Sequence, residues 1–131
     1  MNLKRTSINP FSAQITLGLE KEYTKELIEK SAIIKFLQDY QNQLINKKNI
    51  FLSASLSECD IVLSGQVEPH LKLSFINYPK FPIEESILKI EIENMTKSLM
   101  KYFSQNRVVI EYLTETVMFE NSDNIDPRIE R

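Results

Sequence analysis

Hydrophobic and polar residues alternate along four short stretches of this chain and recur at helical spacing along two longer ones. In residues 13–20 every second side chain is apolar, which is typical of a strand that buries one face. The same alternation returns in residues 50–57, 71–76 and 108–113. A short apolar run at 61–63 precedes Ser64-Gly65, a pair of residues typical of a hairpin turn. The pattern therefore predicts four strands, with the second and third joined by a hairpin.

Two stretches carry apolar residues three or four positions apart, which predicts helices that bury one side. In the first stretch the buried side is defined by the spacing of Ile33, Phe36 or Leu37, Tyr40 and Leu44. This helix begins either with Thr24 as its N-cap or at Ser31. The second helix is predicted to begin at 82–85, where a proline followed by acidic residues suits a first turn. Its buried face comprises Leu88, Ile92, Met95, Leu99 and Tyr102 or Phe103.

The order of these elements predicts an α+β fold of the ferredoxin-like βαββαβ plan. In this plan two helices cover one face of a four-stranded antiparallel sheet. A chain of 131 residues has the size of one domain, so we expect a single domain over 1–131. It divides into an N-terminal arm (1–10), a folded core (11–119) and a polar tail (120–131). The plan is similar to that of trimeric ferredoxin-like regulators of the PII and CutA class, a likeness of fold that implies no activity.

Charge and composition exclude several classes of partner. The net charge of −2, with no basic stripe, argues against nucleic acid. No apolar run approaches the ~18 residues of a membrane-spanning helix. The two glycines of the chain are too few for a phosphate-binding loop, and the single cysteine, Cys59, precludes an internal disulfide. We therefore expect a cytoplasmic protein with no cofactor, no nucleic-acid partner and no membrane contact.

The face of the predicted sheet that the helices leave open carries apolar residues among polar ones. The apolar residues predicted there are Phe51, Ile76, Val109 and Leu113. A group of apolar side chains on an open face is typical of a contact surface. Proteins of this plan often cover the face by association, so we expect a homo-oligomer, either a dimer or a trimer.

The most unusual local sequence is Asn77-Tyr78-Pro79-Lys80-Phe81-Pro82, between the third strand and the second helix. Two prolines restrict its backbone, so it loses little conformational entropy when a ligand binds. It presents an amide, a phenol, an ammonium group and an aromatic ring, which predicts ligand contacts by Asn77, Tyr78, Lys80 and Phe81. In the alternative interpretation the proline only sets the angle at which the helix begins, and Phe81 fills the core.

Charged residues near the ends of strands are further candidates. Two glutamates occupy the first turn of the second helix, which disfavours an anion there. The phosphates of a nucleotide-like ligand are therefore expected at Lys80, Lys72 or Arg107. Glu111 is a candidate carboxylate, predicted on the same strand face as Glu115, and such a pair can transfer protons or bind a cation. The alternative role of Glu111 is an ion pair with Lys72 across the sheet.

The only histidine and the only cysteine are predicted to face each other. With a two-residue turn at Ser64-Gly65, the register places Cys59 opposite His70. Acidic neighbours of the cysteine disfavour a thiolate, so no catalytic residue is assigned. No metal site is assigned either, because structural zinc sites need four ligands. Gly18 leaves a gap on its strand face that either admits a ligand or marks close packing.

These observations favour a non-enzymatic function. We expect a small oligomeric binding module that sequesters or senses a small, nucleotide-like ligand at a subunit interface. The alternatives are a protein–protein interaction subunit that uses the open sheet face and a small isomerase- or lyase-like enzyme. An isomerase that uses an N-terminal proline is excluded, because the second residue is Asn2.

Overall fold

The structure is a computed structural model that describes residues 2–127. Seven elements follow one another along the chain: β1 (Ser12–Gly18), α1 (Lys30–Lys48), β2 (Ser55–Leu63), β3 (Gln66–Ile76), α2 (Glu85–Tyr102), β4 (Arg107–Tyr112) and β5 (Thr116–Glu120). The strands form one antiparallel sheet in the order β2-β3-β1-β4-β5. The predicted α+β class, with two helices and an antiparallel sheet, is confirmed.

The predicted four-stranded ferredoxin-like sheet is wrong, because the sheet has a fifth strand at its edge. β5 pairs with β4 from Arg107 opposite Glu120 to Glu111 opposite Thr116. The amide of Tyr112 donates a hydrogen bond to the carbonyl of Glu115 (2.9 Å), which closes the turn between the two strands. Burial does alternate along β5, but the exposed position between Val117 and Phe119 is occupied by the apolar Met118, so the sequence shows a short apolar run and no alternation.

The core lies between the sheet and the helices. Along β1 the side chains of Ala13, Ile15 and Leu17 are fully buried, while the residues between them are half-buried on the other face. The predicted buried face of α2 is confirmed from Leu88 to Leu99, since Leu88, Ile92, Met95 and Leu99 are at most 1% exposed. At its end Phe103 is buried, whereas Tyr102 is 69% exposed. Within the described residues no helix is both long and apolar enough to cross a membrane.

The loop between β1 and α1 is longer than the Thr24 alternative predicts. The hydroxyl of Thr24 donates to the carbonyl of Lys21 (3.0 Å) and accepts from the amide of Glu26 (3.1 Å). Threonine therefore stabilises a turn within the loop instead of capping the helix. α1 begins at Lys30, beside the alternative start at Ser31. Residues 19–29 therefore form a loop, and part of this loop is one wall of the site described below.

The second strand begins at Ser55, several residues later than the alternation predicts. Asn49 ends α1 in the left-handed conformation (φ 54°), and its amide donates to the carbonyl of Ile45. Residues 51–54 then run without strand pairing, with Leu52 buried in the core. Phe51 stacks on Phe81 at 4.6 Å between ring centroids, so its predicted place on the open sheet face is wrong.

The β2–β3 hairpin extends beyond the central strand. Its register places Cys59 opposite His70, as predicted, and continues to Leu63 opposite Gln66. β1 pairs with β3 only as far as Gly18 opposite His70. The hairpin beyond this point, residues 60–69, is a two-stranded ribbon, and its exposed apolar residues are Ile61, Val62, Leu63 and Val67.

Candidate active site at the end of the central strand

The last residue of β1 lies at the floor of a cavity of about 190 Å³. Gly18 pairs with His70 of β3, and Thr16 pairs with Val109 of β4. Continuing the antiparallel register by two residues places Gly18 beside Arg107 of β4. Gly18 lies on the half-buried face of β1, opposite the core face of Ala13, Ile15 and Leu17, so the cavity is on the sheet face that the helices leave open. Its walls come from the loop after β1, the ribbon end of β3, the start of β4 and the segment after β5.

Two polar atoms point at the space above Gly18. A Cβ atom built on Gly18 would lie 2.9 Å from Oε1 of Gln105 and 3.6 Å from Nε2 of His70. Gln105 is 7% exposed, and its Nε2 donates to the carbonyls of Glu20 (3.0 Å) and Phe103 (3.2 Å). These two bonds fix the orientation of the amide, so its carbonyl oxygen is an acceptor at the cavity floor.

The tautomer of His70 follows from its hydrogen bond to the backbone. Nδ1 lies 3.2 Å from the carbonyl oxygen of Glu68, and a carbonyl oxygen only accepts. Nδ1 is therefore the protonated nitrogen of the neutral ring, and Nε2 presents a lone pair. Because Nε2 is the atom near Gly18, the neutral imidazole can accept a proton or a hydrogen bond from a bound ligand.

A buried amide and a phenol connect two walls of the cavity. Asn106 is 5% exposed, and its Nδ2 donates to the hydroxyl of Tyr23 (2.8 Å). That hydroxyl donates to the carbonyl of Asn124 (2.7 Å). Oδ1 of Asn106 accepts from the amide (3.0 Å) and the hydroxyl (3.1 Å) of Ser122. Tyr23 has a positive φ of 51°, so its backbone adopts a conformation that costs energy for a bulky residue.

Arg107, the one predicted ligand-binding residue that lines this cavity, contacts the chain's own groups. Its Nε donates to the carboxylate of Glu120 (2.8 Å), and its Nη2 donates to the carbonyls of Asn124 (2.9 Å) and Ser122 (3.2 Å). The hydrogen bond to Glu120 raises the pKa of the guanidinium, so the group stays charged. Arg107 thus ties β4 to the segment that follows β5.

The ionisable lining of the cavity is predominantly acidic. The two cationic residues, Lys21 and Arg107, are each paired with a carboxylate outside the lining, Glu26 at 2.9 Å and Glu120 at 2.8 Å. The acidic residues of the lining are Glu20, Glu22, Glu68 and Asp126. A concave site with this excess of carboxylates attracts a cation and disfavours a phosphate.

The other predicted site residues lie elsewhere. His70 and Ile76 are six strand residues apart, so the 77–82 loop begins roughly 20 Å from the cavity. There the amide of Asn77 donates to the carbonyl of Ile83 (2.8 Å) and accepts from its backbone N–H (3.0 Å). Tyr78 and Phe81 stack at 6.1 Å. Lys80 is exposed at the turn of this loop.

The loop lines a separate groove of about 570 Å³ beside α1. Phe81 is 43% exposed, so the alternative interpretation that it fills the core is wrong. Binding of a ligand by Asn77, Tyr78, Lys80 and Phe81 stays a prediction.

Lys72 and Glu111 are separated by the central strand. Thr16 lies opposite Lys72, and Gln14 lies opposite Glu111, so the alternative in which these two charges form a direct cross-strand pair is wrong. Glu115 forms an ion pair with Lys89 of α2 (2.9 Å). It therefore lies toward the helices, and its predicted place on the same face as Glu111 is wrong because the turn after Tyr112 intervenes. Ligand contacts by Lys72 and Glu111 stay predictions.

Several residues of the cavity lie outside every periodic pattern of the sequence, so no such pattern predicts them. Tyr23, Gln105, Asn106 and Asp126 belong to loops and strand ends, where neither helical nor strand periodicity applies. The one usable signal is Gly18, which interrupts the polar face of an otherwise regular strand. Within residues 2–127 no group of three or more His, Cys, Asp and Glu side chains is arranged to hold a metal ion.

The fold and the site define an α+β domain with an acidic cavity at the end of its central strand. The fold, apart from the cavity, occurs in solved structures. A phage SAM lyase in its apo state is 17% identical, with a TM-score of 0.70, and the match covers 95% of this chain and 100% of that one. A phage SAM lyase in complex with S-methyl-5'-thioadenosine is 16% identical, with a TM-score of 0.67 and the same coverage. At these identities the likeness establishes the fold. No protein family and no curated protein matches the sequence.

Proposed function

We propose that this protein is a lyase that cleaves S-adenosylmethionine and releases methylthioadenosine from the cavity over Gly18. The observation that carries the proposal is the correspondence of fold over 95% of this chain and the whole of a SAM lyase. A relative with the same fold binds the methylthioadenosine that such a reaction releases. The proposal keeps the nucleotide-like ligand expected from the sequence and adopts the lyase-like alternative.

The charge of the cavity supports a sulfonium substrate. S-adenosylmethionine carries a positive sulfur and an ammonium group, whereas methylthioadenosine is neutral. The lining contains four acidic side chains and two basic ones, so it carries an excess of negative charge. Such a lining attracts the substrate more strongly than the thioether product, which favours product release.

The reaction breaks the bond between the sulfonium sulfur and the γ-carbon of the methionine part. The electron pair of that bond goes to sulfur, which becomes the neutral thioether. The four-carbon fragment then has two balanced fates. It loses a β-proton to a base and becomes an alkene, or its own carboxylate attacks the γ-carbon and closes a lactone without any protein base.

The cavity offers groups for either fate. His70 presents the lone pair of Nε2 near Gly18 and can accept the β-proton of the elimination. Glu68 lies at the same wall and contributes negative charge beside the sulfonium. In the lactone route the protein only binds and orients the substrate, so folding the methionine chain onto itself supplies the rate enhancement. The identity of the four-carbon product distinguishes the two routes.

The size of the cavity supports an oligomer in which a second copy completes the site. A volume of about 190 Å³ is below the roughly 300–1,000 Å³ of sites that enclose small ligands. The ribbon at 60–69 begins at the cavity wall and exposes four apolar residues, of which Val62 is 73% and Val67 66% exposed. A second copy packed on this ribbon covers the apolar surface and narrows the mouth of the cavity. The homo-oligomer expected from the sequence thus becomes part of the proposal.

The direct test incubates the full-length protein with S-adenosylmethionine and analyses the products by liquid chromatography and mass spectrometry. We expect methylthioadenosine and one four-carbon product, in equal amounts. In Glu68→Gln we expect a higher KM, because one carboxylate of the lining is neutralised. Glu58→Gln, which changes an exposed glutamate on the neighbouring strand, is the matched control and should leave KM unchanged.

Two outcomes would contradict the proposed lyase activity. Binding of methylthioadenosine without turnover of S-adenosylmethionine would return the protein to the class of non-enzymatic binding modules. Absence of both binding and turnover would remove the adenosine ligand altogether. Light scattering after size exclusion tests the oligomer, and a monomer that nonetheless turns over the substrate would refute completion of the site by a second copy.

A further inference from the structure

The floor of the cavity carries a hydrogen-bond acceptor that the protein itself does not use. Gln105 is 7% exposed, and its Nε2 donates to the carbonyls of Glu20 (3.0 Å) and Phe103 (3.2 Å). No donor among residues 2–127 bonds to its Oε1. In this part of the chain every side-chain N or O atom that is sealed from solvent has a partner, so Oε1 opens onto the cavity that Gln105 lines. A carbonyl oxygen held in this way on a buried side chain points to a ligand that donates a hydrogen bond.

Nε2 of His70 is a second acceptor at the same place. The point where a Cβ atom of residue 18 would stand lies 2.9 Å from Oε1 of Gln105 and 3.6 Å from Nε2 of His70. The ring proton of His70 is on Nδ1, which bonds to the carbonyl of Glu68 (3.2 Å), so Nε2 has a lone pair and no hydrogen. The two atoms are therefore a pair of neutral acceptors that face one space and offer it no donor.

The group that complements this pair is neutral, has two hydrogens and has no lone pair of its own to satisfy. An amino group on an aromatic ring has this character, because its nitrogen lone pair is delocalised into the ring. A hydroxyl or an oxo group would bring lone pairs to face the two acceptors. An ammonium group would lose its hydration between two uncharged acceptors, which costs much more than the burial of a neutral amine.

We propose that Gln105 and His70 bind the 6-amino group of the adenine ring and make the site selective for adenosine compounds over inosine compounds. This inference rests on the proposed function and adds the residues that recognise the base. The lone pair of His70 can take either a hydrogen bond or a proton, and the inference assigns it the hydrogen bond.

The amide of Gln105 is held too firmly to adapt to an oxo group. Its backbone N–H donates to the carbonyl of Met100 (2.9 Å), and its backbone carbonyl accepts from the side-chain amide of Asn121 (3.0 Å). Turning the side-chain amide so that its NH₂ meets an oxo group would break both hydrogen bonds of Nε2. Because these groups are buried, each broken bond would leave an unsatisfied partner. The floor should therefore discriminate between an amino and an oxo group by rejecting the oxo group.

The first test compares three ligands on the unmodified full-length protein by isothermal titration calorimetry. Methylthioadenosine has the 6-amino group, methylthioinosine has an oxo group in its place, and the 6-unsubstituted purine analogue has only hydrogen there. We expect the oxo and the unsubstituted ligands to bind about tenfold more weakly or worse, because the acceptors of the floor are then left without donors. The lyase assay with S-adenosylmethionine and its inosine counterpart makes the same comparison through kcat/KM.

The outcomes separate this inference from the proposed function. Equal affinities for the three ligands, or equal kcat/KM for the two substrates, would overturn the inference and leave the lyase activity standing. If the protein neither binds methylthioadenosine nor cleaves S-adenosylmethionine, the proposed function fails and the inference fails with it.

The second test asks whether Gln105 recognises the amino group. Gln105→Met removes the acceptor and keeps the length of the side chain, so the Kd values of methylthioinosine and methylthioadenosine should come within about threefold of each other. Gln14→Met makes the same change on the same face of β1, roughly 13 Å from Gly18, and should keep the full ratio. A purely structural role of Gln105 would weaken both ligands equally, and an unchanged ratio would therefore overturn its assignment. Circular dichroism of each variant confirms that the fold is intact.

The third test addresses His70. His70→Phe removes the acceptor and keeps a ring, so it should reduce the ratio of the two Kd values. His70→Gln offers a side-chain oxygen near the position of Nε2 and should restore part of the ratio. With S-adenosylmethionine, His70→Phe should change KM more than kcat. A loss of kcat with an unchanged ratio of Kd values would assign the lone pair to proton transfer and overturn the role of His70 in binding the base.

Discussion

Adding one methyl group at Gly18 tests whether a ligand occupies the floor of the cavity. In Gly18→Ala the new Cβ would lie 2.9 Å from Oε1 of Gln105, closer than such atoms normally approach. Nε2 of His70, at 3.6 Å, is at an ordinary contact distance. The φ of Gly18 is outside the left-handed region, so alanine adds no backbone strain. The whole steric cost therefore falls on the amide of Gln105.

The expected effect on folding is small. Overpacking costs about 1–3 kcal/mol when the neighbours cannot move. The amide of Gln105 is the end of a flexible side chain, although two hydrogen bonds hold it. Replacing glycine by alanine in a strand returns about 0.5–1 kcal/mol of backbone entropy. The free energy of unfolding should therefore fall by about 1 kcal/mol.

The effect on the Kd should be larger, because a ligand that sits on Gly18 would have to share the floor of the cavity with the new methyl group. The same overpacking cost of about 1–3 kcal/mol, applied to the complex, raises the Kd of methylthioadenosine roughly 5- to 150-fold. Calorimetric titration gives the Kd, and urea unfolding followed by circular dichroism gives the stability. Thr16→Ser, a change on the same face one step along β1, is the control. A Kd unchanged in a folded Gly18→Ala variant would refute a ligand site over Gly18.

Three further predictions concern stability. Asn106→Ala removes three hydrogen bonds of 2.8–3.1 Å from a buried side chain, and it should lower the free energy of unfolding by about 3 kcal/mol in urea unfolding; a loss below about 1 kcal/mol would contradict this. Lys48→Met leaves the 4% exposed carboxylate of Glu91 without its 2.7 Å partner, so it should destabilise the fold more than Glu91→Gln does, and equal thermal shifts would contradict this. Burial, followed by the hydrogen bond to Glu93, raises the pKa of Tyr112 above its unfolded value near 10. The protonated phenol thus stabilises the fold below pH 10 and loses this contribution as pH rises through the folded pKa, so Tyr112→Phe should flatten the decline in stability above pH 10.

The elements that could be predicted from the sequence are those with one fully buried face. β1, α2 and the 71–75 part of β3 place a buried side chain at every step of their period, so the pattern follows directly from burial. Residues 50–54 alternate equally well but form no strand, because the left-handed cap at Asn49 turns the chain before any partner strand is available. A periodic pattern indicates which residues are buried, but it does not indicate where the pairing of strands begins.

The site was predictable only where a residue departs from its local pattern. Gly18 interrupts the polar face of β1, and Arg107 is a lone cation at the first position of β4. Tyr23, Gln105 and Asp126 are ordinary loop residues far apart in the sequence. They meet only because β1 lies between β3 and β4, which brings the ends of several elements to one edge of the sheet. That juxtaposition is a property of the topology, and no local spacing encodes it.

The arrangement of cations also bears on which nucleotide-like ligand the fold can accept. A ligand with phosphates requires basic groups that converge, and the three expected from the sequence do not. Lys80 lies beyond the far end of β3, and Lys72 lies two residues along that strand from His70. Arg107 donates from Nε to the carboxylate of Glu120 and from Nη2 to the segment that follows β5. The carboxylates, in contrast, do converge on one cavity. An adenosine ligand with a positive charge and no phosphates suits both the dispersed cations and the converging carboxylates. A phosphorylated nucleotide suits neither.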